Sequence, residues 1–184
     1  SRILERGPFW FLVGIVAVQS VHMFEHVLQL IQVTAWSVPD DEALGLLGYV
    51  FQLQGTEEWL HLVFNIAYLG ALAFLVVPLR RLVPQTVAPW AFAAFVFGLA
   101  LEGWHVEHLV IISNVIANSG CPCPGIVDAA LGLSDTVLHF FYNLIAYLAT
   151  LPPLWYLTRS RASSGRPVEA TGTVAAAATV HRSG

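Results

Sequence analysis

The sequence EEWLHLVFNIAYL at residues 57–69 is repeated, with changes, as SDTVLHFFYNLIAYL at residues 134–148. Both copies contain an acid, a histidine four residues later, and an asparagine four residues after that. A spacing of four places these three polar groups on one face of an α-helix. Because ionisable groups among such apolar neighbours are costly, each copy predicts a membrane helix whose polar face belongs to a functional site.

The composition places the whole chain in a membrane. Of its 184 residues, 57% are hydrophobic and 11% are charged, and the mean hydropathy is +0.68. Apolar segments cover about 8–33, 56–78, 89–116 and 134–157, and each meets the roughly 20 residues needed to cross a bilayer. The first is too long for the apolar part of a cleaved signal peptide, so we expect a retained span. The sequence therefore predicts an all-α integral membrane protein, a bundle of four transmembrane helices.

Prolines and one serine mark the predicted helix ends. Pro8 and Pro89 are expected to open the first and third helices, where proline is tolerated. Pro78 and the pair Pro152-Pro153 are expected to close the second and fourth helices. Ser134, followed by an acid, is the predicted N-cap of the fourth helix.

The basic residues predict the orientation. All eight are arginines, and they lie before the first segment, between the second and third, and after the fourth. The positive-inside rule then places both termini in the cytoplasm and the loops at about 34–55 and 117–133 outside. Residues 158–184 are predicted to be a disordered cytoplasmic tail. We expect a multi-pass protein of a bacterial inner (plasma) membrane, with lipid, other membrane subunits or a second copy as partners and no nucleic acid.

The duplication extends beyond the quoted segment. The string DEALGL at residues 41–46 matches DAALGL at 128–133, and Glu25-His26 aligns with Glu107-His108. These matches predict two tandem, pseudo-symmetric helical hairpins: repeat 1 covers about 8–78 and repeat 2 about 89–157. The hairpins form one membrane domain, residues 1–157, with a two-fold axis near the membrane normal.

Six histidines fall at one depth when counted from the predicted helix ends, in the outer third of the bilayer. Charged and polar stripes on membrane helices face the bundle interior, so these side chains should meet. The candidate metal ligands are His22, Glu25, His26, Glu57, His61, His105, Glu107, His108, Asp135 and His139. The candidate supporting residues are Asn65, Asn143 and Glu102.

Imidazole and carboxylate together form a ligand field for Fe, Cu or Zn, and helical bundles house dinuclear sites of this kind. Glu57 and Asp135 have an alternative role, since either acid could orient the nearby histidine through its ring N–H. We therefore expect a membrane metalloprotein with a His/carboxylate transition-metal site facing the outer side. A redox enzyme acting on an apolar or quinol-like substrate is one such protein, although the sequence does not establish catalysis.

Two other functions remain open at this stage. A b-type haem electron carrier would use histidines from facing helices as axial ligands, but it does not need the repeated acids. A metal-ion or proton transporter would use the acid-His-Asn faces as a relay. Transport is disfavoured because residues 69–77 and 92–101 contain no charged group, so no polar path leads to the cytoplasm.

The remaining chemical signals lie near the predicted outer surface. Cys121 and Cys123 form either a disulfide or a pair that binds a soft metal. Aromatic residues of an interfacial belt are predicted at Trp36, Trp59, Trp104 and Tyr142.

Overall fold

The computed structural model describes residues 2–51, 57–117 and 132–164. It contains four long helices, α1 (Arg2–Ala35), α3 (Glu57–Leu82), α4 (Pro89–Ala117) and α5 (Asp135–Ser164). A 3-10 turn (Asp40–Glu42) and the short helix α2 (Gly45–Val50) connect α1 to α3. This described part of the chain is helical and has no strand. Cys121 and Cys123, and the tail beyond Ser164, lie outside it.

Three of the long helices are long and apolar enough to cross a membrane, judged by length and composition. The qualifying stretches are Arg6–Ala35, Leu60–Leu82 and Thr136–Ser163. Helix α4, which the sequence predicts as the third span, is not among them in the described residues. It carries Glu102, His105, Glu107 and His108 among otherwise apolar residues. The described part of the chain is therefore all-helical, with three candidate spans.

Two of the predicted helix ends are confirmed. Helix α4 begins at Pro89. At the start of α5 the Val137 N–H donates to Ser134 Oγ at 3.4 Å, which is the geometry of an N-cap.

The other proline boundaries are wrong, because Pro8, Pro78 and the pair Pro152-Pro153 all lie inside helices. A proline removes one backbone hydrogen bond, and neighbouring helices can hold the chain helical past that gap. Helix α5 therefore continues to Ser164, and residues 158–164 of the predicted disordered tail are helical.

The long helices pack in the order α1, α5, α4, α3 around a common core. Extensive contacts join α1 to α5, α5 to α4 and α4 to α3, whereas α3 and α1 meet much less. We call α1 to α3 the first half and α4 with α5 the second half. The two long helices of the first half thus pack loosely against each other, whereas those of the second half pack tightly.

The core has two chemically different ends. Toward the arginine-rich ends of the helices it is apolar, with Leu12, Leu75, Leu79 and Phe95 at 1% exposure or less. Toward the other ends it is polar, and most of the eleven buried polar or charged side chains of the described residues lie there. The functional groups are therefore concentrated at one end, and apolar packing supports them from below.

A glycine allows the tight contact inside the second half. A Cβ atom added to Gly98 of α4 would lie 2.5 Å from Ala149 Cβ and 3.4 Å from the Ala146 carbonyl oxygen. Any side chain at this position would force α4 and α5 apart. In the first half, a Cβ on Gly14 or Gly70 would meet nothing of the described chain within 4 Å.

Two side chains of α1 hold the short helix α2. Glu25 Oε1 accepts the backbone N–H groups of Leu47 at 2.6 Å and of Gly48 at 3.2 Å. Gln32 Oε1 accepts the Gly45 N–H at 2.8 Å. These bonds satisfy N–H groups at the start of α2 that have no partner within the helix. Helix α2 is consequently fixed against the polar end of α1.

The repeated strings at 41–46 and 128–133 each contain a glycine with the same backbone conformation. Gly45 has φ +65° and Gly132 has φ +61°, a left-handed conformation that glycine adopts most readily. Both glycines occupy the same place in the strings at 41–46 and 128–133. This likeness agrees with the predicted duplication, which remains a prediction.

Candidate functional site

All six predicted histidines of the long helices meet in one cluster, which we call the histidine cluster. Neighbouring imidazole rings of the cluster have centroids 4.5 to 6.5 Å apart. The adjoining Phe64 ring lies 4.1 Å from the His22 ring. Every long helix contributes at least one ring to the histidine cluster: His22 and His26 from α1, His61 from α3, His105 and His108 from α4, and His139 from α5.

The first half contributes three of these rings. The His22 and His26 centroids are 4.5 Å apart, and His61 lies 5.7 Å from the first and 5.3 Å from the second. The Nε2 atoms of His22 and His26 are 3.1 Å apart. Two imidazole nitrogens bound to one metal at about 2.0–2.1 Å are separated by about 3 Å when the angle at the metal is near 90–100°. The pair therefore already has the spacing of two ligands on one ion.

His139 links the two halves of the cluster. Its ring centroid lies 5.2 Å from both His105 and His108 of the second half. It also lies 6.1 Å from His61 and 6.5 Å from His26 of the first half. One imidazole is thus within ring-contact range of four others, so the six rings form a single group rather than two separate sites.

The histidines differ in their access from outside the bundle. His26, His105, His108 and His139 are at most 4% exposed. His22 and His61 are half-buried and line a cavity of about 340 Å³ between α1 and α3. The histidine cluster therefore has one open side, which coincides with the loosely packed side of the first half.

Asn143 connects the histidine cluster to its surroundings. Its Nδ2 atom donates to His26 Nε2 and to the His139 carbonyl oxygen, both at 3.0 Å. Its Oδ1 atom accepts from Gln19 Nε2 at 3.0 Å. Asn65, at the corresponding place in the first copy, donates to the His61 carbonyl oxygen at 2.8 Å. The asparagines of the two acid-His-Asn copies thus make different hydrogen bonds.

Sequence analysis overlooked Gln19, which is fully buried beside the histidine cluster. The signal was present, because Gln19, His22 and His26 follow a spacing of three and four residues and share one helical face. Tyr142 was wrongly placed in the interfacial belt. It is 6% exposed, and its ring stacks on His105 with centroids 5.1 Å apart and planes at 10°.

Glu102 lies below the histidine cluster and is completely buried. Its Oε2 atom is 3.6 Å from His105 Nδ1, which is too long for a hydrogen bond. Neither Glu102 oxygen, nor the hydroxyl group of Tyr68, nor Oδ1 of Asn65 has a hydrogen-bond partner in the described chain. Buried polar atoms of this kind normally have partners. Several buried polar atoms next to the rings therefore lack a hydrogen-bond partner in the described chain.

The other predicted acids are placed differently. Glu25 uses one carboxylate oxygen to hold α2, as described above. Glu107 is exposed, on the opposite side of α4 from the buried histidines. Glu57 and Asp135 lie in the first turns of α3 and α5, but their side chains are outside the described set. Of the predicted acids whose side chains are described, Glu25 and Glu102 are buried, and Glu102 lies 3.6 Å from a ring nitrogen of His105.

The side chains do not yet form a complete metal site. Among the described residues, no group of three or more His, Cys, Asp and Glu side chains has the arrangement needed to hold a metal ion. The Nε2 atoms of His22 and His26 are 3.1 Å apart, within hydrogen-bond distance of each other. His26 Nε2 also accepts from Asn143 Nδ2 at 3.0 Å, so a metal ion would replace these hydrogen bonds. A third imidazole, His61, lies in ring contact with both His22 and His26.

Comparison of the chain with known protein families, with curated proteins and with solved structures gave no match. Function is therefore inferred from the site itself.

Proposed function

We propose that this chain is an integral membrane metalloprotein that binds a transition metal, Fe, Cu or Zn, through the histidine cluster. The observation that carries the proposal is the meeting of six imidazoles from four helices, with two ring nitrogens 3.1 Å apart. Imidazole is a ligand for all three metals. The cluster has enough imidazoles for one dinuclear centre or for two mononuclear centres, one in each half.

Energetic cost supports a ligand-binding role. Burying polar groups without hydrogen bonds is unfavourable, and the Glu102 oxygens, the Tyr68 hydroxyl and Gln19 Oε1 are all buried without a partner in the described chain. Such a concentration of uncompensated groups is retained where it serves a site. A bound cation with its water would compensate the carboxylate of Glu102, and ring nitrogens would bind the metal directly.

The membrane arrangement is part of the proposal. All four long helices cross the bilayer, with both termini in the cytoplasm and the histidine cluster near the outer surface of a bacterial inner membrane. The second half arose as a copy of the first, which the left-handed glycines Gly45 and Gly132 support. A redox reaction of an apolar or quinol-like substrate at the metal is the activity that this location favours. The site opens between α1 and α3, toward lipid rather than toward water.

Haem binding fits the packing less well. A porphyrin must lie between its two axial imidazoles, and the space around His139 is filled by the rings of His26, His61, His105 and His108. Transport also fits less well. The core toward the arginine-rich ends is closed by apolar side chains, including Leu72, Leu75, Leu79 and Phe95.

Metal analysis tests the proposal. Protein purified in detergent is expected to contain a stoichiometric transition metal, and His26→Ala and His139→Ala are expected to weaken its binding by about tenfold or more. His181→Ala, in the C-terminal segment outside the predicted site, is the control and should retain the metal. Elemental analysis and a visible spectrum of each protein give the result.

The outcomes separate the alternatives. Absence of a stoichiometric metal in the wild-type protein, or full retention by His26→Ala and His139→Ala, contradicts the proposal. A Soret band indicates haem instead. Metal-ion flux into liposomes that His139→Ala abolishes indicates transport instead.

A further inference from the structure

Two adjoining cavities lie along the loosely packed side of the first half, and together we call them the α1–α3 groove. Its upper part is the cavity of about 340 Å³ that His22 and His61 line. Its lower part is a cavity of about 390 Å³. Val18 and Phe64 line both parts, so the two cavities adjoin at that level.

The α1–α3 groove is polar at one end only. His22, Glu25, Gln29 and His61 lie in its upper part. Its lower part is apolar and is lined by residues that include Trp10, Phe11, Gly14, Ile15, Ala67 and Ala71. Along α1 the groove extends from Trp10 to Gln29, about 28 Å at 1.5 Å per residue. A molecule that matched it would have a polar head and a long apolar tail.

Helix α2 closes the polar end of the groove. Leu44, Leu47 and Gly48 line the upper part there, and Glu25 holds the last two of them through their backbone N–H groups. A transmembrane helix of a partner needs an uninterrupted path across about 30 Å of bilayer core. It would collide with α2 before completing that path. A membrane amphiphile whose head stops below α2 has no such conflict.

Access to the groove is lateral. Val18, Val21 and Leu60 line its upper part and are 56%, 60% and 52% exposed. In a bilayer this exposed surface faces lipid, so a ligand can enter from the membrane without passing through water. The Phe64 ring lies 4.1 Å from the His22 ring, centroid to centroid, and gives the head-group region an apolar wall.

We propose that the α1–α3 groove binds a membrane amphiphile with a single long apolar chain and a hydroxyl- or carbonyl-bearing head that reaches His22 and His61. This inference rests on the proposed function for the location of the groove in a bilayer and for the histidine cluster as its destination. The head hydrogen-bonds to the imidazoles and to the Gln29 amide. The chain lies along Gly14 and Ala71, whose small side chains leave room for it.

Binding of two labelled probes tests the inference. A decyl-substituted hydroquinone and decanoic acid present different heads on similar chains, and each is titrated into protein in phosphatidylcholine nanodiscs. At least one is expected to bind saturably. Val18→Trp, at the junction of the two cavities, should weaken that binding by about tenfold or more. Val63→Trp is the matched control, because Val63 is a similarly exposed valine, at 64%, that lines neither cavity.

A second pair of variants covers a folding failure. Ala71→Phe fills the lower part of the groove, and Ala73→Phe introduces the same side chain on the exposed face of α3. Loss of probe binding in Val18→Trp or Ala71→Phe, with retention in its control, supports the inference. The probe that binds identifies the head group, a quinol or a fatty acid.

Two outcomes overturn the inference: neither probe binds the wild-type protein saturably, or the groove variants and their controls bind equally. If size measurements show a wild-type dimer that only the groove variants convert to monomer, the occupant is a second copy and the inference is again wrong. Metal content is measured on the same samples. Groove-dependent probe binding without metal would leave this inference standing and would contradict only the proposed function.

Discussion

The two halves of the molecule contain the same acid-His-Asn pattern, yet they are packed differently. In the second half, α4 and α5 touch closely where Gly98 faces Ala149. In the first half, α1 and α3 make few contacts and are separated by the α1–α3 groove. Alignment of Glu25-His26 with Glu107-His108 places Val16 opposite Gly98. A bulky residue thus takes the place of the glycine in the half that stays open.

This difference divides the histidine cluster into a sealed part and an accessible part. His105, His108 and His139 are enclosed by the tight packing of the second half. His22 and His61 border the groove of the first half. Two helical pairs with the same polar pattern therefore both contribute rings to the histidine cluster, while only the first borders a cavity at these rings.

The largest expected effect comes from removing the close contact of the second half. Gly98→Val places a side chain where even a Cβ atom would lie 2.5 Å from Ala149 Cβ, so α4 and α5 must separate. We expect a loss of stability of about 3 kcal/mol, typical of an overpacked core. Thermal unfolding in detergent, followed by circular dichroism, measures it. Gly70→Val is the control, because a side chain there meets open space. Equal unfolding midpoints for the two variants would contradict the comparison.

The two asparagines are expected to differ by less. Asn143→Ala removes bonds to His26, the His139 carbonyl group and Gln19, and it should cost about 2 kcal/mol. Asn65→Ala removes the bond to the His61 carbonyl group and should cost about 1 kcal/mol. Unfolding midpoints and metal affinity of both variants are compared. If Asn65→Ala is the more damaging substitution, the first copy and not the second anchors the histidine cluster.

The smallest difference is expected between the two left-handed glycines. Alanine in the left-handed region costs about 1 kcal/mol at either Gly45 or Gly132. At Gly45 the added Cβ would also meet the Glu25 carboxylate, which must move away from Leu47 and Gly48. Gly45→Ala should therefore cost about 1 kcal/mol more than Gly132→Ala. Proteolysis of the 36–51 connection, with unfolding midpoints, measures this difference. Equal effects would show that Glu25 does not stabilise α2.

Much of the site could be predicted, since helical spacing alone determines which residues of one helix share a face. The faces carrying His22 with His26 and His61 with Asn65 were identified in this way, and each does contribute to the histidine cluster. Helix ends were harder to predict. Pro8 was expected to start a helix, and the prolines at 78 and 152–153 were expected to terminate helices. Packed neighbours allow the helices to continue through all of them.

The roles of the acids could not be predicted from spacing. Glu25 lies on the same helical face as His22, yet its carboxylate holds α2, because that short helix folds back against α1. Glu107 is adjacent to His108 in sequence, yet it is exposed. A carboxylate accepts hydrogen bonds from whatever donors the fold brings near it, and those donors come from distant parts of the chain.

By itself, the sequence determined that the chain is helical and apolar, and that its histidines occur at repeated helical positions. These properties depend on residue type and spacing along one helix, so they can be read locally. The sequence also predicted that the six rings meet. Only the tertiary structure decided which rings are in contact and that the site is open between α1 and α3. Those features depend on how closely helices approach, which Gly98 and the residues facing it set through packing.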